Sequence, residues 1–60
     1  MSIRSILMTR DGMTADEADN LINEAREQLQ EYLLNGEMHN AEDICSEFFG
    51  LEPDYLFELM

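Results

Sequence analysis

Through the middle of the chain the apolar residues recur at spacings of three and four. Ala18, Leu21, Ile22, Ala25, Leu29, Tyr32 and Leu33 fall on one face of a helix, and Asn20, Asn23, Glu24, Glu27, Gln28, Gln30 and Glu31 fall on the opposite one. The pattern predicts a helix over residues 14 to 35, on the order of 30 Å long, as the spine of the fold. Its start is marked by Thr14-Ala15-Asp16-Glu17. There the Thr14 hydroxyl can accept the Glu17 amide while the Glu17 carboxylate accepts the Thr14 amide. Asp16 and Glu17 also suit the positive end of a helix. Its stop is Asn35-Gly36, because glycine takes the left-handed conformation that closes a helix.

Shorter elements flank this spine. An opening helix over residues 2 to 9 ends at Asp11-Gly12. Beyond Gly36, residues Glu37, Met38 and His39 are expected to form a connector, and Asn40 to cap a second helix. That helix would carry Glu42 and Asp43 in its first turn and bury Ala41, Ile44, Cys45, Phe48 and Phe49, with Gly50 ending it. Pro53 suits the first position of a last helix, with Leu51 stapled onto Leu56 across its start. Tyr55, Leu56 and Leu59, with Phe57 and Met60 as further candidates, would complete the core. Valine and tryptophan are absent while Ala, Leu, Glu, Gln and Met abound, so strands are disfavoured. Turns of a few residues fold neighbouring helices back on one another. The expectation is a single all-α domain over residues 1–60, a small bundle of three to four helices.

Length and charge narrow the function. A chain of 60 residues buries only about 60% of the surface its unfolded form exposes. Cores of this size supply roughly 3–5 kcal/mol, and small scaffolds gain further support from disulfides, a metal or a second copy. With Cys45 as the one cysteine, an intrachain disulfide is impossible, and a lone thiol fits a reducing cytoplasm. The apolar start is broken by Arg4 and Ser5 and is too short for a signal peptide. No apolar run approaches the roughly 20 residues of a membrane span, so a cytoplasmic protein without a membrane partner is expected. Fourteen acidic residues stand against Arg4, Arg10 and Arg26, for a formal charge of -11. That field repels phosphate backbones, so direct nucleic-acid binding is disfavoured, and it suits a basic protein surface instead.

The Gly12-Met13-Thr14 lead into an acidic long helix, the Asn35-Gly36 break, Ala41-Glu42-Asp43-Ile44 and the ending Gly50-Leu51-Glu52-Pro53-Asp54-Tyr55-Leu56 span nearly the whole chain. In these features it resembles the short helical proteins often encoded by phages, prophages and other mobile elements. The resemblance implies a fold type and a mobile-element setting. It carries no functional motif and transfers no active residues.

Residues with chemical potential each have a plainer role. His39, Asp43 and Cys45 are metal-ligand types, but one His and one Cys fall short of a zinc set. His39 then lies on the surface, and Cys45 serves as a small apolar core residue. As a thiol and base the same pair is separated by six residues, has no orienting third group and lies among acids that disfavour a thiolate. Carboxylate pairs such as Glu27 with Glu31 and Asp43 with Glu47 lack the cleft that would raise one pKa. Neither a calcium-loop spacing nor a glycine-rich phosphate loop is present. The sequence therefore points to a protein that is not an enzyme and needs no cofactor or metal.

What remains is binding. Met1, Met8, Met13, Met38 and Met60, with Leu7, Leu34 and Phe57, exceed what a thin core covers. One member each of Leu33-Leu34 and Phe48-Phe49 is expected to face outward, and exposed apolar patches mark interfaces. Arg26 has no acid three or four positions away, so its guanidinium would seek a carboxylate on another helix or another chain. The leading reading is a non-enzymatic protein–protein interaction module, self-associating as a homodimer, with an acidic face for a basic partner. The alternative is an acidic nucleic-acid mimic that blocks a DNA- or RNA-binding protein. The candidate partner contacts are Asp16, Asp19, Glu24, Arg26, Glu27, Glu31, Leu34 and Phe57.

Overall fold

The computed structural model describes residues 2–60, and every regular element among them is helical. Helices α1 (Ile3–Arg10), α2 (Ala15–Leu34), α3 (Met38–Glu42) and α4 (Ile44–Phe49) are followed by a final 3-10 helix, Pro53–Leu59. The all-α class expected from the sequence is therefore observed. Twenty residues of α2 rise about 30 Å and set the long axis of a body measuring 34 × 19 × 15 Å. The other elements are laid along it.

Local chemistry explains where α2 begins and ends. Thr14 Oγ1 accepts the Glu17 amide at 3.2 Å and the Glu17 carboxylate accepts the Thr14 amide at 3.0 Å, the reciprocal cap that the sequence predicts. At the other end Gly36 turns left-handed, with φ 73°. Its amide donates to the Leu33 carbonyl at 3.2 Å, and the Glu37 amide reaches back to Tyr32 at 2.8 Å. This pair of bonds is the Schellman closure, and it satisfies two carbonyls that would otherwise lack donors.

The second helix departs from expectation. It starts at Met38 rather than after Asn40, with no side-chain cap, and Asn40 lies inside it, donating to the Glu37 carboxylate at 3.3 Å. The Schellman turn already points the chain into a helix at Glu37, so Asn40 has no free helix end to cap. Asp43, with φ -87° and ψ 0°, then interrupts the run and divides it into α3 and α4. The expected three to four helices thus become five segments among the described residues. Pro53 does stand in the first turn of the last one, but the backbone there winds as 3-10.

The core is wholly apolar among the described residues. Ile3 and Leu7 of α1, Ala18, Ile22, Ala25 and Leu29 of α2, Ala41, Ile44, Cys45 and Phe49 of α3 and α4, and Leu59 of the final helix are buried together. Met13, Leu21, Tyr32, Phe48, Leu51, Tyr55 and Leu56 pack half-buried around them. Three expected core positions are not covered. Leu33, at the edge of the α2 stripe, is 40% exposed, and Phe57 and Met60 are 71% and 82% exposed. In a 3-10 helix residues three apart eclipse one another, so turning Leu56 and Leu59 inward turns Phe57 and Met60 outward. Met1 lies outside the described residues.

Candidate functional site

Two surfaces gather the candidate contacts. On α2, 100° per residue places Ala18, Ile22, Ala25 and Leu29 on the buried side, and Asp16, Glu24, Glu27, Glu31 and Leu34 on the side facing away from it. All five of the latter are exposed, Leu34 at 87%. Asn20, Glu24, Glu27, Glu31 and Leu34 succeed one another at alternating steps of four and three, an uncovered row that no other element crosses. Asp19 and Arg26 do not belong to that row. They lie on the flank of α2 toward α1 and the final helix.

That flank forms the second surface, an open-sided cleft of about 410 Å³. Ile3 and Ile22, both buried, supply apolar lining, and Arg4, Asp19, Arg26 and Glu58 supply the charges. Arg4 Nε donates to Asp19 Oδ1 at 2.9 Å, joining α1 to α2. The Glu58 carboxylate accepts the Ile3 amide at 2.9 Å, and so caps the start of α1 from the far end of the chain. Arg26 finds a backbone carbonyl, that of Glu58 at 3.3 Å, rather than the carboxylate expected for it. A cation against the closing carbonyls of a helix is favourable for the same reason a carboxylate partner would be. The sequence reasoning missed Arg4 and Glu58 as members of this site. Fifty-five positions separate Glu58 from Ile3, and no local pattern reports such a pairing.

Arg10, the third cation, lies elsewhere. Its guanidinium is paired with Asp11 and donates to the Phe49 carbonyl, fastening the end of α1 to the end of α4. The Asp11 carboxyl is held below the usual carboxylate range by those hydrogen bonds. All three arginines are therefore engaged within the fold. Among the described residues Asp11 and Asp19 are the carboxylates in ion pairs, and no other comes within 4.0 Å of an arginine nitrogen. Phe57, the remaining candidate contact, is 71% exposed on the final helix and is not part of the cleft lining. Leu34 lies some eight residues, about 12 Å, further along α2 than Arg26.

The groups considered for chemistry are dispersed. His39 is exposed on α3, whereas Cys45 is fully buried on α4, where burial pushes its thiol above the ordinary value and the Glu58 carboxylate adds to the shift. Among the described residues no three of His, Cys, Asp and Glu are grouped so as to hold a metal ion. No helix there is long and apolar enough to cross a membrane. The chain matches no family model, no curated protein and no solved structure.

Proposed function

We propose that the protein is a non-catalytic interaction module that self-associates as a homodimer and offers the outward face of α2 to a basic partner protein. One observation carries this reading. Leu34, Phe57 and Met60 are 71–87% exposed on a chain of charge -11 whose arginines are all engaged internally. Apolar side chains left in water favour association, and unpaired carboxylates favour a cationic counterpart.

The two halves respond oppositely to salt, and this separates them. The Debye length falls from about 30 Å at 0.01 M to about 8 Å at 0.15 M, against a body 15–19 Å across its shorter axes. At low salt the repulsion between two copies of charge -11 spans the whole dimer. Screening it should tighten self-association, while the same screening loosens a complex with a basic protein. Sedimentation across this range reads the first half, and salt elution of partners captured from the native host reads the second. A monomer at every salt concentration removes the homodimer, and partner binding indifferent to salt removes the basic partner.

The nucleic-acid mimic rests on the same acids. Asp16, Asp19, Glu24, Glu27 and Glu31 span 15 residues, about 22 Å of helix, or roughly one charge per 5 Å. Duplex DNA carries one per about 1.7 Å, and a single strand one per about 3.4 Å. The sparser charge favours an ordinary acidic docking face over mimicry of a duplex. Competition with DNA for a basic protein, tested by displacement of labelled duplex, would reverse that preference.

A further inference from the structure

We infer that the basic partner docks at the closing turn of α2, lying along the acidic row with apolar side chains seated on Leu33, Leu34 and Met38. The occupant is a cationic amphipathic segment, with leucine-like residues flanked by lysine or arginine, and its assignment rests on the basic partner proposed for the chain.

The apolar part of this surface is an uncovered end of the core. Leu33 follows buried Leu29 by four residues and Met38 precedes buried Ala41 by three, so each continues the buried stripe of its helix past the last covered position. They are 40% and 56% exposed, and Leu34, the next residue after Leu33, is 87% exposed. Every residue from Leu33 to Asn40 is exposed. The Gly36 amide bonded to Leu33 and the Glu37 amide bonded to Tyr32 close the backbone here. The turn is therefore ordered in advance, and little further ordering is left for binding to cost.

Charge selects what covers it. From Glu27 to Phe48 the chain carries six acids, Glu27, Glu31, Glu37, Glu42, Asp43 and Glu47, and no arginine or lysine. All six are exposed and none is in an ion pair. The arginines are engaged elsewhere, Arg4 with Asp19, Arg10 with Asp11 and the Phe49 carbonyl, and Arg26 with the Glu58 carbonyl. Glu27 and Glu31 stand seven and three residues before Leu34 on the same row of α2, so a partner reaching Leu34 along that row passes both carboxylates. Apolar residues whose charged neighbours along the chain are all carboxylates match a segment of opposite charge and the same apolar character. A second copy would bring Glu27, Glu31 and Glu37 against like charges at this turn, and is disfavoured there.

The test is isothermal titration of the full chain with a short synthetic lysine–leucine peptide of helical spacing, beside a peptide with alanine in place of each leucine. Circular dichroism confirms that each variant is folded. The leucine peptide should bind at least about tenfold more tightly than the alanine one, and the gap should widen as salt shortens the Debye length from about 8 Å at 0.15 M to about 3 Å at 1 M. Leu34→Ser should weaken the leucine peptide by about tenfold, and Leu34→Ser with Met38→Ser by more, while Phe57→Ser on the final helix stays within about twofold. At 0.15 M salt Glu31→Gln should weaken binding, whereas Asp16→Asn, about 27 Å back along α2, should not. If the Leu34 and Met38 variants bind as wild type does, the basic partner stands and this turn is the wrong place. Equal binding of the two peptides removes the apolar anchor. If Leu34→Ser disrupts self-association in sedimentation and leaves peptide binding intact, the turn belongs to the homodimer. A wild type that binds neither peptide at low salt overturns the basic partner itself.

Discussion

Removing the Leu7 side chain should bring the fold close to its limit. Leu7 is fully buried in α1 beside Ile3, within a core that draws on all five helical segments. Truncating a buried leucine to alanine costs about 2.7–5 kcal/mol, the larger values where the cavity cannot collapse. Here α1 is tied by Arg4 to Asp19, by Ile3 to Glu58 and by Arg10 to Phe49. Those three attachments resist collapse, so a value near 3 kcal/mol or above is expected. A domain of this length has a total of roughly 3–9 kcal/mol. Urea denaturation followed by far-ultraviolet circular dichroism should therefore show the midpoint of Leu7→Ala lowered by about 3 M or more, with a slope near 1 kcal/mol per molar. Protein concentration must be fixed and low, because dimerisation would add to apparent stability. Leu34→Ala, at an exposed position, should stay within about 0.5 kcal/mol of wild type. If Leu7→Ala moves the midpoint no further than Leu34→Ala, α1 is not part of the core.

Three further outcomes follow from the caps, the thiol and the charge. Thr14→Ala should cost about 1 kcal/mol. The Thr14 backbone amide first, and its hydroxyl second, hold the Glu17 carboxyl below its ordinary value of 4.5, so the part the hydroxyl contributes is present above that value and lost as pH falls through the lowered one. Urea midpoints between pH 6 and 3 should show a shallower acid decline in Thr14→Ala than in wild type. Cys45 is raised above its ordinary 9.0 by burial, so its contribution is complete below that pH and lost as pH rises through the folded value. A thiol reagent at pH 8 should react at a rate that climbs with urea, and reaction at the rate of a free thiol would contradict the burial. Finally, self-association should strengthen as pH falls from 7 toward the isoelectric point near 4.1, where the repulsion between copies vanishes. Sedimentation that is flat over that range would count against charge as the force opposing the dimer.

What could be read in the sequence was what depends on neighbours. The Thr14–Glu17 cap, the Gly36 and Gly50 stops and the buried face of α2 each follow from residues within one or two turns, and each is present. Asn40 misled because a capping residue marks a helix start only where the backbone is still free, and the turn at Gly36 had already committed it. The winding of the last segment, which decides that Phe57 faces outward, was equally hidden, since Pro53 suits the first turn of either kind of helix. Of the candidate contacts, the α2 row was legible from periodicity alone. The cleft was not, because Arg4, Asp19, Arg26 and Glu58 meet only after three separate segments have packed.

The 3-10 winding of residues Pro53–Leu59 also bears on the order in which the molecule comes apart. Its hydrogen bonds are poorer in geometry than those of α2, and it is held down chiefly by Leu59, by half-buried Tyr55 and Leu56 and by the Glu58 contacts to Ile3 and Arg26. Such a segment is the natural first unit to open, with a local free energy well under the global one. Its amides should exchange with solvent deuterium sooner than those of α2. If copies pair as proposed through exposed side chains such as Phe57, pairing would slow that exchange, and the protection of this short segment would gauge how much of the protein is paired.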